Sequence, residues 1–312
     1  MGGWLVLFKN DVCSQVMHLQ RLRLPQPVNL GTGLFVGSGD SYTCAVLMEY
    51  LSKHEMLAYH PSDILRCPQL LSGQQIFFIS ASGRTRTNIK AAKIAHKVAT
   101  KTTAITVGSE TALEKVCDES LNLEYLRPSS TGILGFTATI LTCMALIGIK
   151  IKMNVLGKIM KDAQEKVALY ADDFPMNFDS ILFLGDSAAY PVARYGALKM
   201  NELFGFRSFG YLLDDYYHSP IFSLKKPDCV FILDYDNVKN SPSANFHNKL
   251  KKTHLRSYYF QSHIGETIFE RILFSIFVSQ IISLTIAEKL HLKKPYYRGR
   301  KRILEMSSGL IY

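Results

Sequence analysis

Two short loops rich in hydroxyl groups could bind a phosphate. The first, Gly37–Tyr42, reads Gly-Ser-Gly-Asp-Ser-Tyr, and the second, Ser80–Thr85, reads Ser-Ala-Ser-Gly-Arg-Thr. Each loop is predicted to join a strand to a helix, where the first N–H groups of the helix lack partners within it and can cradle an anion. A plain helix start capped by hydroxyl groups has the same composition. The loops match neither a P-loop nor a dinucleotide-binding fingerprint.

A second set of side chains could move protons. Tyr195, Lys199 and Glu202 are separated by four and three residues, so they share one face of a predicted helix. A lysine beside a glutamate favours the ionised carboxylate that a general base needs. His218 follows later in the chain and is a candidate acid or base. Without further context, a solvated ion pair and a loop histidine explain the same residues.

These side chains need a scaffold, and the chain alternates patterns typical of strands and helices. Runs rich in β-branched and aromatic residues predict strands at 34–37, 75–80, 103–107, 121–125, 181–185, 229–233 and 255–260. Helical patterns separate these strands, which is typical of βαβ units and parallel sheets. The pattern restarts after about residue 155. We therefore predict an α/β protein with two copies of one unit, as domains 1–160 and 161–312.

Both hydroxyl-rich loops fall in the first predicted domain, directly after predicted strands. In open α/β sheets, ligands bind beyond the carboxyl ends of the strands. The two loops can therefore converge on one pocket.

Composition and cysteine spacing restrict the class of protein. The 312 residues are 47% apolar and 20% charged, which describes a globular chain and excludes a fibrous one. The six cysteines form no CxxC pair, which excludes zinc and redox sites of that type and argues against a disulfide scaffold. No basic segment precedes the first apolar stretch, so we expect no signal peptide and a cytoplasmic location.

An excess of positive charge predicts an anionic partner. The chain has 36 Lys and Arg against 26 Asp and Glu, a formal charge of +10. Seven of the basic residues lie between Lys289 and Arg302, in a stretch without an acidic residue. Such a basic run, interleaved with tyrosine, could bind nucleic acid. We favour a tail folded over the protein's own surface and expect no nucleic-acid partner.

Two uncharged stretches, 131–149 and 272–287, are candidates for membrane-spanning helices. The first just reaches the length of a spanning helix. Both contain several Ser or Thr residues, and helices that pack against a parallel sheet have the same composition. We predict buried helices and no membrane partner.

The order of these motifs resembles that of proteins with two SIS (sugar isomerase) domains, over about residues 30–300. In the first half, the resemblance rests on the two hydroxyl-rich loops and on the Ala104–Val107 strand with the residues after it. In the second half, it rests on Tyr190-Pro-Val-Ala, on Gly196-Ala-Leu-Lys-Met-Asn-Glu and on His218-Ser-Pro. This second block is similar to the isomerase half of glucosamine-6-phosphate synthase and to archaeal two-domain deaminases and isomerases.

The resemblance implies two tandem SIS domains, each a parallel sheet flanked by helices on both faces. It also implies that Glu202 moves a proton between C1 and C2 of a sugar phosphate, with Lys199 beside it. His218 would assist ring opening in the partner subunit of a homodimer. The C-terminal lysine of the family would be Lys301, with Arg300 as the alternative. The residues that would bind sugar and phosphate are Ser38, Gly39, Ser41, Ser80, Ala81, Ser82 and Thr85.

Four positions depart from the pattern of the family. Arg84 stands where a glutamate is usual, and Ala81 where a glutamine is common. Tyr195 replaces a glutamate one helical turn before Lys199, and Ser219 replaces the glycine after the histidine. These departures bear on the substrate and the reaction more than on the fold.

The resemblance implies an enzyme that converts a hexose or aminohexose 6-phosphate between aldose and ketose through an enediol. Gain or loss of ammonia at C2 stays open. No metal or organic cofactor is expected, because one base and one ring-opening group suffice for the proton transfer. We expect no glutaminase domain, so any ammonia would come from a separate source. The alternative is a SIS-fold sensor that binds a sugar phosphate without turning it over, which the basic run would suit.

Overall fold

The computed structural model describes residues 3–28, 33–123, 131–236, 238 and 240–312. The chain divides into two units, each with its own parallel sheet. The four-stranded unit comprises Met1–Val16 and Lys152–Lys301, and the five-stranded unit comprises Met17–Ile151 and Arg302–Tyr312. The predicted α/β class is therefore confirmed.

Strands and helices alternate along both units. The strands are β1 (Gly33–Val36), β2 (Met56–Tyr59), β3 (Gln75–Ile79), β4 (Lys101–Thr106), β5 (Glu119–Asn122), β6 (Ile181–Gly185), β7 (Ser208–Leu212), β8 (Cys229–Asp234) and β9 (Arg256–Gln261). The helices are α1 (Gly3–Cys13), α2 (Gln15–Leu19), α3 (Asp40–Leu51), α4 (Pro61–Arg66), α5 (Arg86–Val98), α6 (Ile133–Leu146), α7 (Leu156–Ala168), α8 (Ala189–Phe204), α9 (Leu213–Tyr216), α10 (Pro242–Lys251), α11 (Ile268–Lys289), α12 (Tyr296–Gly299) and α13 (Lys301–Ile311).

The five-stranded sheet has the order β2-β1-β3-β4-β5, and all its pairs are parallel. Successive side chains of a strand point to opposite faces. Val36 and Phe78 therefore share one face, where they pack with apolar residues of α4 and α5. Phe35 and Phe77 share the other face, and their ring centroids are 5.0 Å apart. Because both faces are buried, the central strands read as continuous apolar runs.

The four-stranded sheet has the order β7-β6-β8-β9 and is also parallel. Leu184 and Ile232 pack on one face with residues of α9 and α10. On the other face, Phe183 and Phe231 have ring centroids 5.0 Å apart. Helix α8 approaches this face closely, because a Cβ on its Gly196 would lie 2.7 Å from the Phe183 ring.

The two apolar stretches of the sequence form core helices. Helix α11 is long and apolar enough to cross a membrane. However, 83% of its most apolar 18-residue segment is buried, and the helix packs against α7 and α8. Every residue of α6 is buried as well. A fully buried helix needs apolar side chains all round, which explains the uncharged stretches.

The strands predicted from the sequence are present, with ends that differ by up to three residues. The last two residues of the strand predicted at 121–125 lie outside the described residues. Strands β2 and β7, which the sequence analysis did not predict, lie at the edges of their sheets. Most of their side chains are half-buried or exposed, so they lack the continuous apolar pattern of a central strand.

At each end of the chain, the terminal residues belong to the unit that is formed mainly by the other half of the chain. Helix α1 belongs with the second half of the chain, and its Phe8 and Val12 are fully buried. Residues Arg302–Tyr312 belong with the first half. The division into SIS domains 1–160 and 161–312 stays a prediction, and the compact units differ from it at both termini.

Gly185 ends β6, and the chain then turns sharply into α8. A Cβ at this position would lie 2.5 Å from the backbone carbonyl group of Ala189. We expect Gly185→Ala to lower the free energy of unfolding by about 1–3 kcal/mol, the usual cost of overpacking, in chemical denaturation. Gly157→Ala in α7 is the control, because nothing lies within 4 Å of its Cβ, and its stability should be unchanged or slightly raised. Equal stabilities of the two variants would contradict this account of the turn.

Candidate functional site

The second hydroxyl-rich loop lies at the carboxyl edge of the five-stranded sheet, between β3 and α5. Ser80 is buried, and its hydroxyl lies 3.4 Å from the Thr85 hydroxyl. The Ser82 hydroxyl accepts a hydrogen bond from the backbone N–H of Arg84, at 3.3 Å. Thr85 precedes α5, but its side chain does not cap the helix. The first N–H groups of α5 and three hydroxyls therefore surround the same turn, an arrangement suited to an anion.

The first hydroxyl-rich loop follows β1, which pairs directly with β3. In that register Val36 lies opposite Phe78, so both loops leave the same edge of the sheet. A Cβ on Gly37 would lie 2.6 Å from the backbone of Ser41, and Gly39 has a positive φ of 59°. These glycines let the chain turn tightly into α3, with Ser38 and Ser41 half-buried beside the turn.

Two arginines lie close to the second loop. Arg84, which departs from the family pattern, is exposed. Arg86, the first residue of α5, donates to the carbonyl oxygen of Gly309 at 3.2 Å and also to that of Tyr312. Arg86 thus ties the C-terminal helix α13 to the helix that follows the loop, within the same unit.

In the four-stranded unit, Lys199 and Glu202 form an ion pair on α8. The Lys199 ammonium donates to the Glu202 carboxylate at 2.5 Å. The lysine side chain is only 5% exposed, whereas that of the glutamate is 44% exposed. A buried ammonium without a partner would be costly, and the Glu202 carboxylate compensates it while remaining accessible to solvent. The structure thus brings this predicted pair together.

A chain of buried side chains lies behind Lys199, and its two glutamines were not predicted from the sequence. The Lys199 ammonium lies 5.6 Å from the ring centroid of Tyr195, close enough for a cation–π interaction. The Tyr195 hydroxyl accepts a hydrogen bond from the Gln280 amide at 3.3 Å, and Gln280 accepts one from Gln15 at 2.7 Å. Both glutamines are fully buried. Two sequence signals pointed to this network: Tyr195 on the helix face of Lys199, and a glutamine inside the uncharged stretch 272–287.

His218 lies apart from Glu202 within one chain. Helix α8 begins at the carboxyl edge of the four-stranded sheet and is about 24 Å long at 1.5 Å per residue. Glu202 lies two residues before its end, near the amino edge, where β7 begins. His218 is exposed and follows β7 and α9, at the carboxyl edge. The two side chains therefore belong to opposite edges of the sheet.

The remaining predicted residues are accessible. Lys301 is the exposed first residue of α13, and the Arg300 guanidinium lies 5.7 Å from the ring centroid of Tyr296. Ala81 is also exposed, and its carbonyl oxygen accepts hydrogen bonds from the loop after β4. Among the described residues, no group of three or more His, Cys, Asp or Glu side chains could hold a metal ion.

Comparisons with solved structures identify the fold. Glucosamine-6-phosphate deaminase from Thermotoga maritima superposes with a TM-score of 0.73 and 17% identity, over 94% of this chain and 97% of the other. The C-terminal domain of glucosamine-fructose-6-phosphate aminotransferase from Francisella tularensis gives a TM-score of 0.72 and 15% identity, over 92% and 96%. The chain therefore has the fold of the SIS-domain phosphosugar isomerases, and the resemblance noted in the sequence is confirmed at the level of the fold.

A curated relative points to the same group of proteins. The isomerizing glutamine–fructose-6-phosphate aminotransferase of Encephalitozoon cuniculi is 25% identical over 260 residues, which cover 73% of this chain. The match spans 36% of the relative, so this chain accounts for about a third of that protein's length. No model of a protein family matches the chain.

We expect the double substitution Ser82→Ala/Thr85→Ala to weaken binding of a sugar phosphate by a few kcal/mol. Each hydrogen bond to a charged group contributes about 1.5–3 kcal/mol, and the variant removes two hydroxyl donors. Titration calorimetry at constant ionic strength measures the change. Thr87→Ala is the control, because Thr87 is an exposed hydroxyl two residues after Thr85, outside the loop itself. Unchanged affinity of the double variant would mean that the loop only begins a helix.

Proposed function

We propose that this protein is a cytoplasmic phosphosugar isomerase that acts on a hexose or aminohexose 6-phosphate. The observation that carries the proposal is the buried Lys199 bonded to the accessible carboxylate of Glu202. The phosphate group would bind to the loop Ser80–Thr85, where hydroxyls and helix N–H groups surround one turn. Aldose–ketose isomerisation needs such a base and such an anchor.

In the proposed reaction, Glu202 takes the proton from C2 of the open-chain aldose. The electrons of the C–H bond form the double bond of the enediol, and the oxygen on C1 gains a proton. Glu202 then returns its proton to C1 while the oxygen on C2 loses one, which gives the ketose. His218 would open the sugar ring by moving a proton between the anomeric hydroxyl and the ring oxygen.

The proposed enzyme is a homodimer in which His218 serves the site of the partner subunit. Glu202 and His218 lie at opposite edges of one sheet, so a single chain does not place them on one sugar. The exposed position of His218 suits a residue that reaches another subunit.

The substrate proposal draws on the similar proteins. One neighbour is a glucosamine-6-phosphate deaminase, and the curated relative is an isomerizing fructose-6-phosphate aminotransferase. Glucosamine 6-phosphate and fructose 6-phosphate are therefore the first compounds to test. Whether ammonia leaves or enters at C2 depends on an ammonia source, for which a separate protein is the proposed supplier.

A sensor that binds a sugar phosphate without turnover is the second candidate. The exposed basic residues at 293–302 favour it, because they could contact nucleic acid. The buried Lys199 argues against it, since binding alone gains nothing from a buried cation paired with a carboxylate that is open to solvent.

We expect Glu202→Gln to lower turnover by about 10²–10⁴-fold, because an amide has nearly the same shape but cannot accept the proton. NMR in deuterated water measures exchange at C2 of glucosamine 6-phosphate or at C1 of fructose 6-phosphate. Glu165→Gln is the control, because Glu165 forms an exposed ion pair with Lys161 on another helix. Activity of Glu202→Gln within a few fold of the wild type would overturn the assignment. Binding without exchange in the wild-type protein would favour the sensor.

Mixing two inactive variants tests whether His218 acts across subunits. Glu202→Gln and His218→Asn should each be inactive alone. In a mixed dimer, one site receives both wild-type side chains if His218 crosses to the partner. After random reassociation, half of the dimers are mixed and half of their sites are intact, so about one quarter of the wild-type activity should return. No recovery, with mixed dimers verified by mass spectrometry, would place both residues in the same chain's site.

A further inference from the structure

The loop after β4 donates hydrogen bonds to the proposed phosphate-binding loop, Ser80–Thr85. The backbone N–H groups of Val107 and Gly108 both donate to the carbonyl oxygen of Ala81, at 3.0 and 3.2 Å. The N–H of Leu113 donates to the carbonyl oxygen of Gly83 at 3.0 Å. Two carbonyls of the turn that carries the hydroxyls are therefore fixed by one neighbouring segment.

Side-chain packing fixes the same turn. Gly83 has a φ of 59°, in the region that favours glycine, and it lies against Thr111. A Cβ on Gly83 would come within 2.3 Å of the Thr111 side chain. Thr111 is only 6% exposed and closely packed, so its side chain limits how near the backbone of Gly83 can approach.

Glu114 holds Thr111 and joins it to two strands. One carboxylate oxygen of Glu114 accepts from the Thr111 backbone N–H at 2.9 Å, and the Thr111 hydroxyl accepts from the Glu114 N–H at 3.2 Å. The other carboxylate oxygen accepts from the Thr106 hydroxyl at the end of β4 and from the Asn122 amide at the end of β5, the latter at 2.9 Å. Three donors from three segments thus converge on one carboxylate.

We propose that Glu114 is a positioning residue for the phosphate-binding loop. This inference rests on the proposed function, because it assigns a role to a residue behind the proposed phosphate site. Glu114 acts through Thr111 and the loop after β4, which hold the carbonyls of Ala81 and Gly83. An ionised carboxylate suits this role because it accepts from all three donors, whereas an amide presents one oxygen and two N–H donors of its own.

The sign of the effect separates positioning from simple electrostatics. Removing a negative charge close to an anion site by itself strengthens anion binding. Loss of a positioning group weakens binding, because misplaced donors no longer match the phosphate. We therefore expect Glu114→Gln to weaken binding of inorganic phosphate and of fructose 6-phosphate by about 10- to 100-fold, although it makes the protein more positive.

Glu110→Gln is the matched control. Glu110 lies in the same loop and is exposed, so its substitution removes the same charge without breaking the contacts of Glu114. This variant should bind phosphate as tightly as the wild type or slightly more tightly. In turnover assays, Glu114→Gln should raise KM and leave kcat near the wild-type value, because Glu202 still moves the proton. A general loss of folded protein would lower kcat without this separation.

Thermal melting shows whether Glu114→Gln folds, and Asn122→Ala is the milder variant if it does not. Asn122→Ala removes one donor to Glu114 and should weaken phosphate binding in the same direction. Equal phosphate affinity in the wild type, Glu114→Gln and Glu110→Gln would overturn this inference alone. Failure of the wild-type protein to bind inorganic phosphate or any hexose 6-phosphate would instead overturn the proposed function.

Discussion

The parallel pairing of the central strands is the constraint on which both units depend. Parallel neighbours end at the same edge, so the segments after β1, β3 and β4 emerge side by side. Helices α3 and α5 begin there, after β1 and β3, and present their first N–H groups at that edge. The strands are buried on both faces, which leaves the loops at the carboxyl edge as the place for polar chemistry. The hydroxyl groups of Ser80 and Thr85 lie at this carboxyl edge.

The same scaffold carries opposite chemistry in the other unit. The edge beyond β6 and β8 carries Asp186 and Asp234 where the five-stranded unit has hydroxyl-rich loops. Burial raises the pKa of both carboxyls, and the charge of Asp236 adds to the effect. Asp234 already accepts hydrogen bonds from Ser241 and Tyr259. Carboxylates repel a phosphate, so, over the residues that the structure describes, the edge of the five-stranded sheet suits an anion better than that of the four-stranded sheet.

Lys199 is buried beside Tyr195, one of the positions that depart from the pattern of SIS-domain proteins. An ammonium that is almost excluded from water needs compensation, which the Glu202 carboxylate supplies directly. The Tyr195 ring adds a neutral, electron-rich surface where the family has a second carboxylate. The tyrosine hydroxyl is in turn satisfied by Gln280, so the substitution leaves this polar group partnered inside the core.

The sequence by itself determined the α/β class, the central strands, the buried helices and the hydroxyl-rich loops. These features depend on local patterns: apolar runs for strands buried on both faces, and glycine and serine where a strand turns into a helix. It also determined that Lys199 and Glu202 share a helix face, since that follows from helical spacing.

Only the tertiary structure decided which residues support these local features. Gln15 and Gln280 meet although 265 positions separate them, and no periodicity predicts such a contact. Glu114 reads as an ordinary surface residue until three segments converge on its carboxylate. The edge strands β2 and β7, the assignment of each terminus to the unit of the other half, and the separation of His218 from Glu202 likewise depend on long-range packing. Hydrogen bonds and burial between distant segments arise only when the chain is folded, so the local sequence carries no signal for them.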